Sequence, residues 1–374
     1  MSSSPQKPIR VAVLHQAIEP PVVNGVRKPM KPGGYQDSGA DIAFSLQSLP
    51  KVKVLTPSPS PAPHSSTGWT FPDTPSGLLS AVQAGATHLW ANTILFSSHP
   101  LQTLQALNGY QNNLRVIGQP PNLVQLYDDK EYVNNLLRSQ GFTLPKSWTL
   151  TSSSSSELEI TLEKLDLPYP IVGKPIRGRG SHGVKLCHTP LALISHITSL
   201  FSESPSIMLE QYLSGEECTV AVMPPSAERG DYWPLPTVTR FNHDEGIAPY
   251  NGVVVVTANS RVVTKEEVER DRTYGEVVSE CVAVAKLLGV TAPIRIDVRR
   301  FGEGEGNKFA LFDVNMKPNM TGPGRPGRED QASLTGIAAE AIGWDYPRLL
   351  QEMLSSAITL QHLRDIKPAE SASS

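Results

Sequence analysis

The 374-residue chain has a formal net charge of −3, with 39% hydrophobic and 18% charged residues, the make-up of an ordinary globular protein long enough for two or three domains. That balance leaves no basic footprint for nucleic acid or an anionic membrane, and no apolar run approaches the ~20 residues of a membrane span. Three widely spaced cysteines (Cys187, Cys218, Cys281) and an N-terminus without a signal-peptide core predict a reducing, cytoplasmic setting and no disulfide framework.

Residues 9–15, IRVAVLH, predict a buried strand. The segment after it lacks the glycine-rich turn of a dinucleotide fingerprint, which argues against NAD. A helix is expected from near Ser38, with Ala40, Ile42, Ala43, Leu46 and Leu49 on its apolar side, followed by a strand at 52–55. Residues 56–76 form a Pro/Ser-rich stretch read as a loop too polar to carry core. Helix (77–85), strand (87–92), helix (100–110) and strand (114–118) then alternate, which predicts a doubly wound α/β domain over residues 1–125. Ligands of such domains meet loops beyond strand C-termini, where His15, Glu19 and Asn92 lie, although a lone loop residue is more often solvated than functional.

Residues 128–140 have the signature of a helix. Asp128 or Asp129 caps it, Val133, Leu136 and Leu137 bury, and Gly141 ends it. A strand (147–150) and a serine run follow. Residues 169–187 read as two apolar strands joined by RGRGSHG, residues 177–183. Glycines let backbone N–H groups approach an anion, and the nearby Lys174 would neutralise it, although most such loops are only tight turns. No P-loop pattern occurs. After a helix at 190–201, residues 207–223 predict strand, turn and strand. Residues 224–249 are irregular, and 264–289 predict one long helix.

The stretch 292–328 reads as a hairpin whose strands, 293–301 and 308–316, are joined by a Gly/Glu run. Alternate residues of a strand share a face, so Arg295 and Asp297 project together, as do Asp313 and Asn315. If Asp297 lies opposite Asp313, then Arg295 lies opposite Asn315 and the connection has about seven residues. Two carboxylates ~5 Å apart on one face repel, and a cation between them reverses the sign. A surface hairpin with solvated charges is the plainer reading, but Ile296, Val298, Leu311, Phe312 and Val314 place these acids in apolar surroundings. Oxygen-only ligands suit Mg²⁺ or Mn²⁺ and not zinc. Helices at 330–342 and 346–356 precede a polar tail, 367–374, expected to be disordered.

The order of these signals (a Lys-bearing helix, a lysine and glycine-rich β-loop, an E-Q-Y-L strand end, then R-x-D and D-x-N strands) resembles the ATP-grasp superfamily and, within it, the D-alanine–D-alanine ligase branch. The resemblance spans residues 130–322. It implies a three-domain α/β architecture, α+β in its ATP-binding part, with a central domain at 126–216, a C-terminal domain at 217–366 and nucleotide between them. By resemblance, Lys130 and Lys174 contact phosphates under the loop of Gly178, Gly180, Ser181 and Gly183. Glu210, Gln211 and Leu213 line the adenine, and Glu217 binds ribose. Asp297, Asp313 and Asn315 hold two Mg²⁺ (or Mn²⁺), and Arg295 stabilises an oxyanion. His243 stands in for a mobile-loop lysine that this chain lacks.

The implied activity is ATP-dependent joining of a small carboxylate to an amine through an acyl phosphate. An ATP-grasp kinase or carboxylase, or a non-catalytic ATP-binding regulator, is the alternative. The expected partners are small molecules, with no nucleic acid and no membrane, and a homodimer is left open. Arg325 and Arg328 offer planar forks for a substrate carboxylate, or else flank a helix at the surface. The chain departs from the family at Asp313, where Glu is usual, at PNMT (318–321) in place of P-G-M-T, in the GPGRPGR extension that follows, and in lacking H-G-x-x-G-E-D-G.

Overall fold

The computed structural model describes residues 8–151, 155–178, 180–243, 246–247 and 256–368. Three sheets organise them, apart from one short two-stranded ribbon.

The first sheet is built on Ile9–His15, which pairs in parallel with Val52–Leu55 on one side and His88–Asn92 on the other. Arg115–Ile117 extends it, also in parallel. Its two faces follow from strand alternation. Val11 and Val13 pack with Ala40, Ile42, Ala43 and Leu46 of the helix Gln36–Leu46, whereas Ala12 and Leu14 pack with Leu78, Ala81 and Val82 of the helix Pro75–Gln83. Helices on both faces make it doubly wound, as expected.

Four local expectations are corrected. The 56–76 loop does carry core: Trp69 and Phe71 are buried, and Phe71–Pro72 pairs with the end of Ile9–His15. The predicted helix 100–110 is only a short turn, Pro100–Thr103, then a 3₁₀ turn, Gln105–Leu107, because Leu104 between them is extended. The long helix at 264–289 breaks into Lys265–Arg270 and Thr273–Leu287. Asp271 sits extended at the break, where its carboxylate accepts from the Thr273 N–H (3.0 Å) and from Arg300 (2.8 Å). Residues 358–365, assigned above to the C-terminal domain, complete the first sheet: Ile358–Thr359 pairs antiparallel with Arg115–Ile117, and Leu360 and Leu363 bury beside Leu107 and Leu114. Of the expected polar tail, residues 369–374 lie outside the described residues.

The second sheet is antiparallel, in the order Lys185–Cys187, Ile171–Pro175, Ser206–Gln211, Ser147–Thr151, with the helix Pro190–Phe201 packed on it. The third runs Ser260–Val262, Val238–Arg240, Glu217–Met223, Ile294–Arg300, Phe309–Asn315, also antiparallel. Along Glu217–Met223, Cys218, Val220 and Val222 pack with the helix Thr273–Leu287, while Ala221 and Met223 join the cluster that also holds Val11 and Val13. A shared core therefore anchors the third sheet to the first. No described helix is long and apolar enough to cross a membrane.

Candidate active site

The hairpin Ile294–Arg300/Phe309–Asn315 has the anticipated register: Asp297 opposite Asp313, Arg295 opposite Asn315. A bulge follows at once, since Val298 faces Leu311 and Phe312 is the extra residue. The bulge is why the connection runs over 301–308, one residue longer than an unbroken ladder implies.

The chain itself supplies cations to these acids. Arg295 grips Asp297 with both prongs (Nε to Oδ1 and Nη2 to Oδ2, each 2.9 Å), and Thr219 Oγ1 donates to the same carboxylate at 2.7 Å. Lys130, at the first turn of the helix Lys130–Ser139, donates to Asp313 Oδ1 at 2.5 Å. Asp129 is that helix's N-cap, accepting from the Tyr132 N–H at 3.0 Å, and so fixes where Lys130 points. Burial works to raise the Asp313 pKa, but the Lys130 charge and hydrogen bond overturn it and hold the group below its ordinary range. Burial likewise opposes charge on Lys130, and Asp313 reverses that, leaving its pKa raised.

The second sheet contributes a parallel arrangement. Lys174 and Glu210 lie diagonally on adjacent strands, and the buried Lys174 Nζ donates to Glu210 Oε1 at 2.6 Å. Glu217 begins the next strand, where Arg240 and Arg299 lie opposite it on either side. His243 Nε2 meets Glu217 Oε2 at 2.9 Å. Desolvation pushes the Glu217 pKa up, but His243, Arg240 and Arg299 outweigh it, so the carboxyl stays below its ordinary range.

Most of these groups line one cavity of about 800 Å³; Thr219, Arg240 and His243 sit behind its wall. Lys130, Lys174, Gly178, Gly180, Ser181, Glu210, Gln211, Leu213, Glu217, Arg295, Asp297, Asp313 and Asn315 all contribute to its wall. Gly180, Ser181 and Gly183 adopt positive φ, which turns the loop tightly where Gly180 and Ser181 meet the cavity; Gly183 is not on its wall, and Arg179 lies outside the described residues.

Three expected residues sit elsewhere. Arg325 is fully buried, and its Nε donates to Asp41 Oδ1 at 2.7 Å; Arg328 binds both oxygens of the same carboxylate at 2.9 Å. The carboxylate they hold belongs to the helix Gln36–Leu46, so they are neither substrate forks nor simple surface arginines. His243, expected near phosphate, instead orients Glu217. Of the strand-end residues, His15 bonds Thr70 (2.9 Å) and Glu19 bonds Arg27 (2.8 Å), while Asn92 reaches the cavity through Lys317 (3.0 Å).

The sequence reading missed Arg299 and Lys317, both on the cavity wall. A signal existed for each. Arg299 continues the period-two series of Arg295 and Asp297, and Lys317 continues that of Asp313 and Asn315.

The family described as D-ala D-ala ligase C-terminus matches residues 136–355, more than half of the chain and the part that carries most of this cavity. The chain belongs to the D-alanine–D-alanine ligase family. It is accordingly an ATP-dependent carboxylate–amine ligase that forms an amide bond. Within the family it is 26% identical to D-alanine–D-alanine ligase A of Bacillus cereus over 236 residues, 63% of this chain and 69% of the relative. It is 30% identical to the D-alanine–D-alanine ligase of Bacteroides fragilis over 197 residues, which span 52% of this chain and little more than half (56%) of that relative. In fold it is similar to the Bacillus anthracis D-alanine–D-alanine ligase complexed with ATP (TM-score 0.62, 19% identity, 95% of this chain and 98% of that one). It is also similar to the VanG D-Ala:D-Ser ligase of Enterococcus faecalis (TM-score 0.61, 14% identity, 93% and 98% covered). Like the ligases of its family, it has the ATP-grasp arrangement of sheets around a nucleotide-sized cleft.

Proposed function

We propose that the cavity binds ATP with Mg²⁺ between a central domain (126–216) and a C-terminal domain (217 to about 357), and activates a small carboxylate, such as an amino acid, for attack by an amine. The observation that carries this is the hairpin register, which puts Arg295, Asp297, Asp313 and Asn315 on one wall of a cavity whose other walls hold Lys130, Lys174 and the glycine loop.

The donor chemistry fits a hard divalent cation. The carboxylates of Asp297 and Asp313 and the amide of Asn315 offer oxygen donors, the ligand type that a hard divalent cation takes. The charge balance fits as well. Asp297, Asp313 and Glu210 are matched by Arg295, Lys130 and Lys174. A bare triphosphate would upset that balance, whereas one arriving with divalent cations comes nearly neutral. When bound, the metal neutralises charge on the transferring phosphoryl group.

The chain's own residues do the rest. Lys130 and Lys174 orient the phosphates, and the 178–183 loop excludes water that would hydrolyse an acyl phosphate. Glu210, Gln211 and Leu213 face the adenine, and Glu217, kept ionised by its cations, accepts from ribose hydroxyls. Hydroxide is a poor leaving group, so the acid reacts with an amine only after phosphorylation. Attack by the amine then builds a tetrahedral oxyanion, to which the Arg295 guanidinium donates, and its collapse breaks the C–O bond to phosphate, which leaves as the amide forms.

Measuring ADP release by the full chain with Mg²⁺, ATP and pools of amino acids tests this reading. Amine-dependent turnover with an amide detected by mass spectrometry supports it. Amine-independent phosphoryl transfer, or ATP binding without turnover, overturns it.

A further inference from the structure

The turn between the helices Pro121–Tyr127 and Lys130–Ser139 is a meeting point for distant parts of the chain. Asp128 Oδ1 accepts from Lys28 Nζ, 100 positions upstream, and Asp128 Oδ2 pairs at 3.5 Å with Arg177 Nη1, 49 positions downstream. All three side chains are largely buried. Arg177 also donates to Asp129 Oδ2 (3.0 Å) and to the Gln125 carbonyl (3.1 Å), while the Lys130 N–H donates to the Ile176 carbonyl at 3.3 Å. The root of the glycine loop, just before Gly178, is thus fastened to the turn that begins the Lys130 helix. Lys28 opens a stretch, 28–31, without regular secondary structure, which leads into the Pro32–Tyr35 turn. Lys28, Asp128, Lys130 and Gly178 all line the cavity.

Resting on the reading of the cavity given above, we propose that Asp128 is a positioning residue of the ligase: its carboxylate, shared by Lys28 and Arg177, fixes the 28–35 wall of the cavity against the glycine-loop root and Lys130. A stretch without helix or sheet bonds takes its place from side-chain anchors, and here these are Lys28 on Asp128 and Lys31 on Asp37. Two cations that share one largely buried carboxylate are held together by it; without it they repel each other and lose the partner that their burial demands. Asp129 is no substitute. One of its oxygens caps the Lys130 helix and the other already holds Arg177. Asp128 has no such local duty, so the bonds its carboxylate makes are the long-range ones to Lys28 and Arg177. Lys130, Lys174 and Glu217 do not depend on this carboxylate for their own partners, so nucleotide affinity survives its loss. The rate does not, because a misplacement of about 1 Å between reacting groups costs about a hundredfold.

The test uses the full chain with Asp128→Asn, Asp128→Glu and Lys28→Met. Asp128→Asn and Lys28→Met are expected to lower kcat for amide formation by about tenfold or more while the KM for ATP stays within about threefold, and Asp128→Glu is expected to retain most of the native rate. A second readout needs no turnover. Spin labels at two exposed positions, Gln83→Cys on the first-sheet helix Pro75–Gln83 and Glu163→Cys on the helix Ser155–Lys164 beside the second sheet, report the spacing of the two units. Double electron–electron resonance is expected to give one narrow distance distribution with Asp128 or Asp128→Glu and a broadened one with Asp128→Asn. Native kcat in Asp128→Asn, a loss confined to the KM for ATP, or a distribution that does not broaden overturns the proposal. Broadening in Asp128→Asn, with a native protein that neither binds ATP nor forms an amide, counts against the ligase reading of the cavity and leaves the positioning by Asp128 standing.

Discussion

Lys130 and Asp313, 183 positions apart in sequence, are hydrogen-bonded through Nζ and Oδ1, which ties the first turn of one helix to the hairpin wall of the cavity. The hairpin's two acids therefore meet in-chain cations before any metal arrives: Arg295 on Asp297, Lys130 on Asp313. If the cavity takes metal–nucleotide as proposed, binding is an exchange of partners in which Lys130 turns from carboxylate to phosphate.

Replacing Asp313 by Ala removes a proposed metal ligand and the Lys130 partner together. Turnover is expected to fall by about a hundredfold or more, since a metal's electrostatic contribution amounts to several kcal/mol. The fold should persist, because the side chain is only part-buried. Asp313→Glu, which restores the residue usual in the family, is expected to stay within about tenfold of the native rate. Mg²⁺-dependent ADP release and circular dichroism check both, and native-like turnover of Asp313→Ala would remove the metal assignment.

The Lys174–Glu210 pair predicts a double-mutant cycle. Lys174→Met alone leaves a buried carboxylate uncompensated and is expected to destabilise by roughly 3–5 kcal/mol. Adding Glu210→Met should recover most of that loss in a urea titration without restoring ATP binding. Additive losses in the two single variants would show that the pair is not coupled.

Arg325→Ala is predicted to act on stability and not on substrate affinity. Its guanidinium, besides holding Asp41, donates to the backbone carbonyls of Ser65 (2.8 Å) and Pro63 (3.3 Å), so it closes the 56–76 segment against the GPGRPGR extension. Loss of several kcal/mol is expected. Denaturation midpoints and the KM for the acid substrate, measured side by side, separate the two effects; a raised KM at native stability would return Arg325 to the substrate site.

Acid sensitivity is expected at Asp271. Burial opposes its ionisation, but the Gly306 N–H, the Thr273 hydroxyl and N–H, and the Arg300 charge prevail and bring its pKa down to about 2. A depressed carboxylate contributes stability above its unfolded value, near 4, and that contribution is lost as pH falls towards about 2. Native protein should therefore exceed Asp271→Asn in stability by about 2 kcal/mol at pH 6, with the gap closing between pH ~4 and ~2. Urea titrations across that range measure it, and a gap that does not change with pH would assign the residue's effect to helix capping alone.

Much of this protein is written in local pattern. Period-two alternation along 293–301 and 308–316, with two acids facing each other, determined the register of the wall that carries Asp297 and Asp313, and strand–helix alternation determined the doubly wound first sheet. The glycines of 178–183 and a cap at Asp128 or Asp129, which the structure places at Asp129, were legible for the same reason: each is chosen by the backbone conformation of its own few residues. What only the tertiary structure decided was which charge meets which. Arg325 and Arg328 read as forks open to a ligand until Asp41, 284 and 287 positions away, takes them. Asp271 reads as a helical residue until Arg300 and Gly306 draw it out of the helix. The polar 56–76 stretch reads as solvated until Phe71 finds the edge of Ile9–His15. Local propensities differ by fractions of a kcal/mol per residue, whereas a buried charge or ring is worth several, so long-range partners overrule local pattern at those positions.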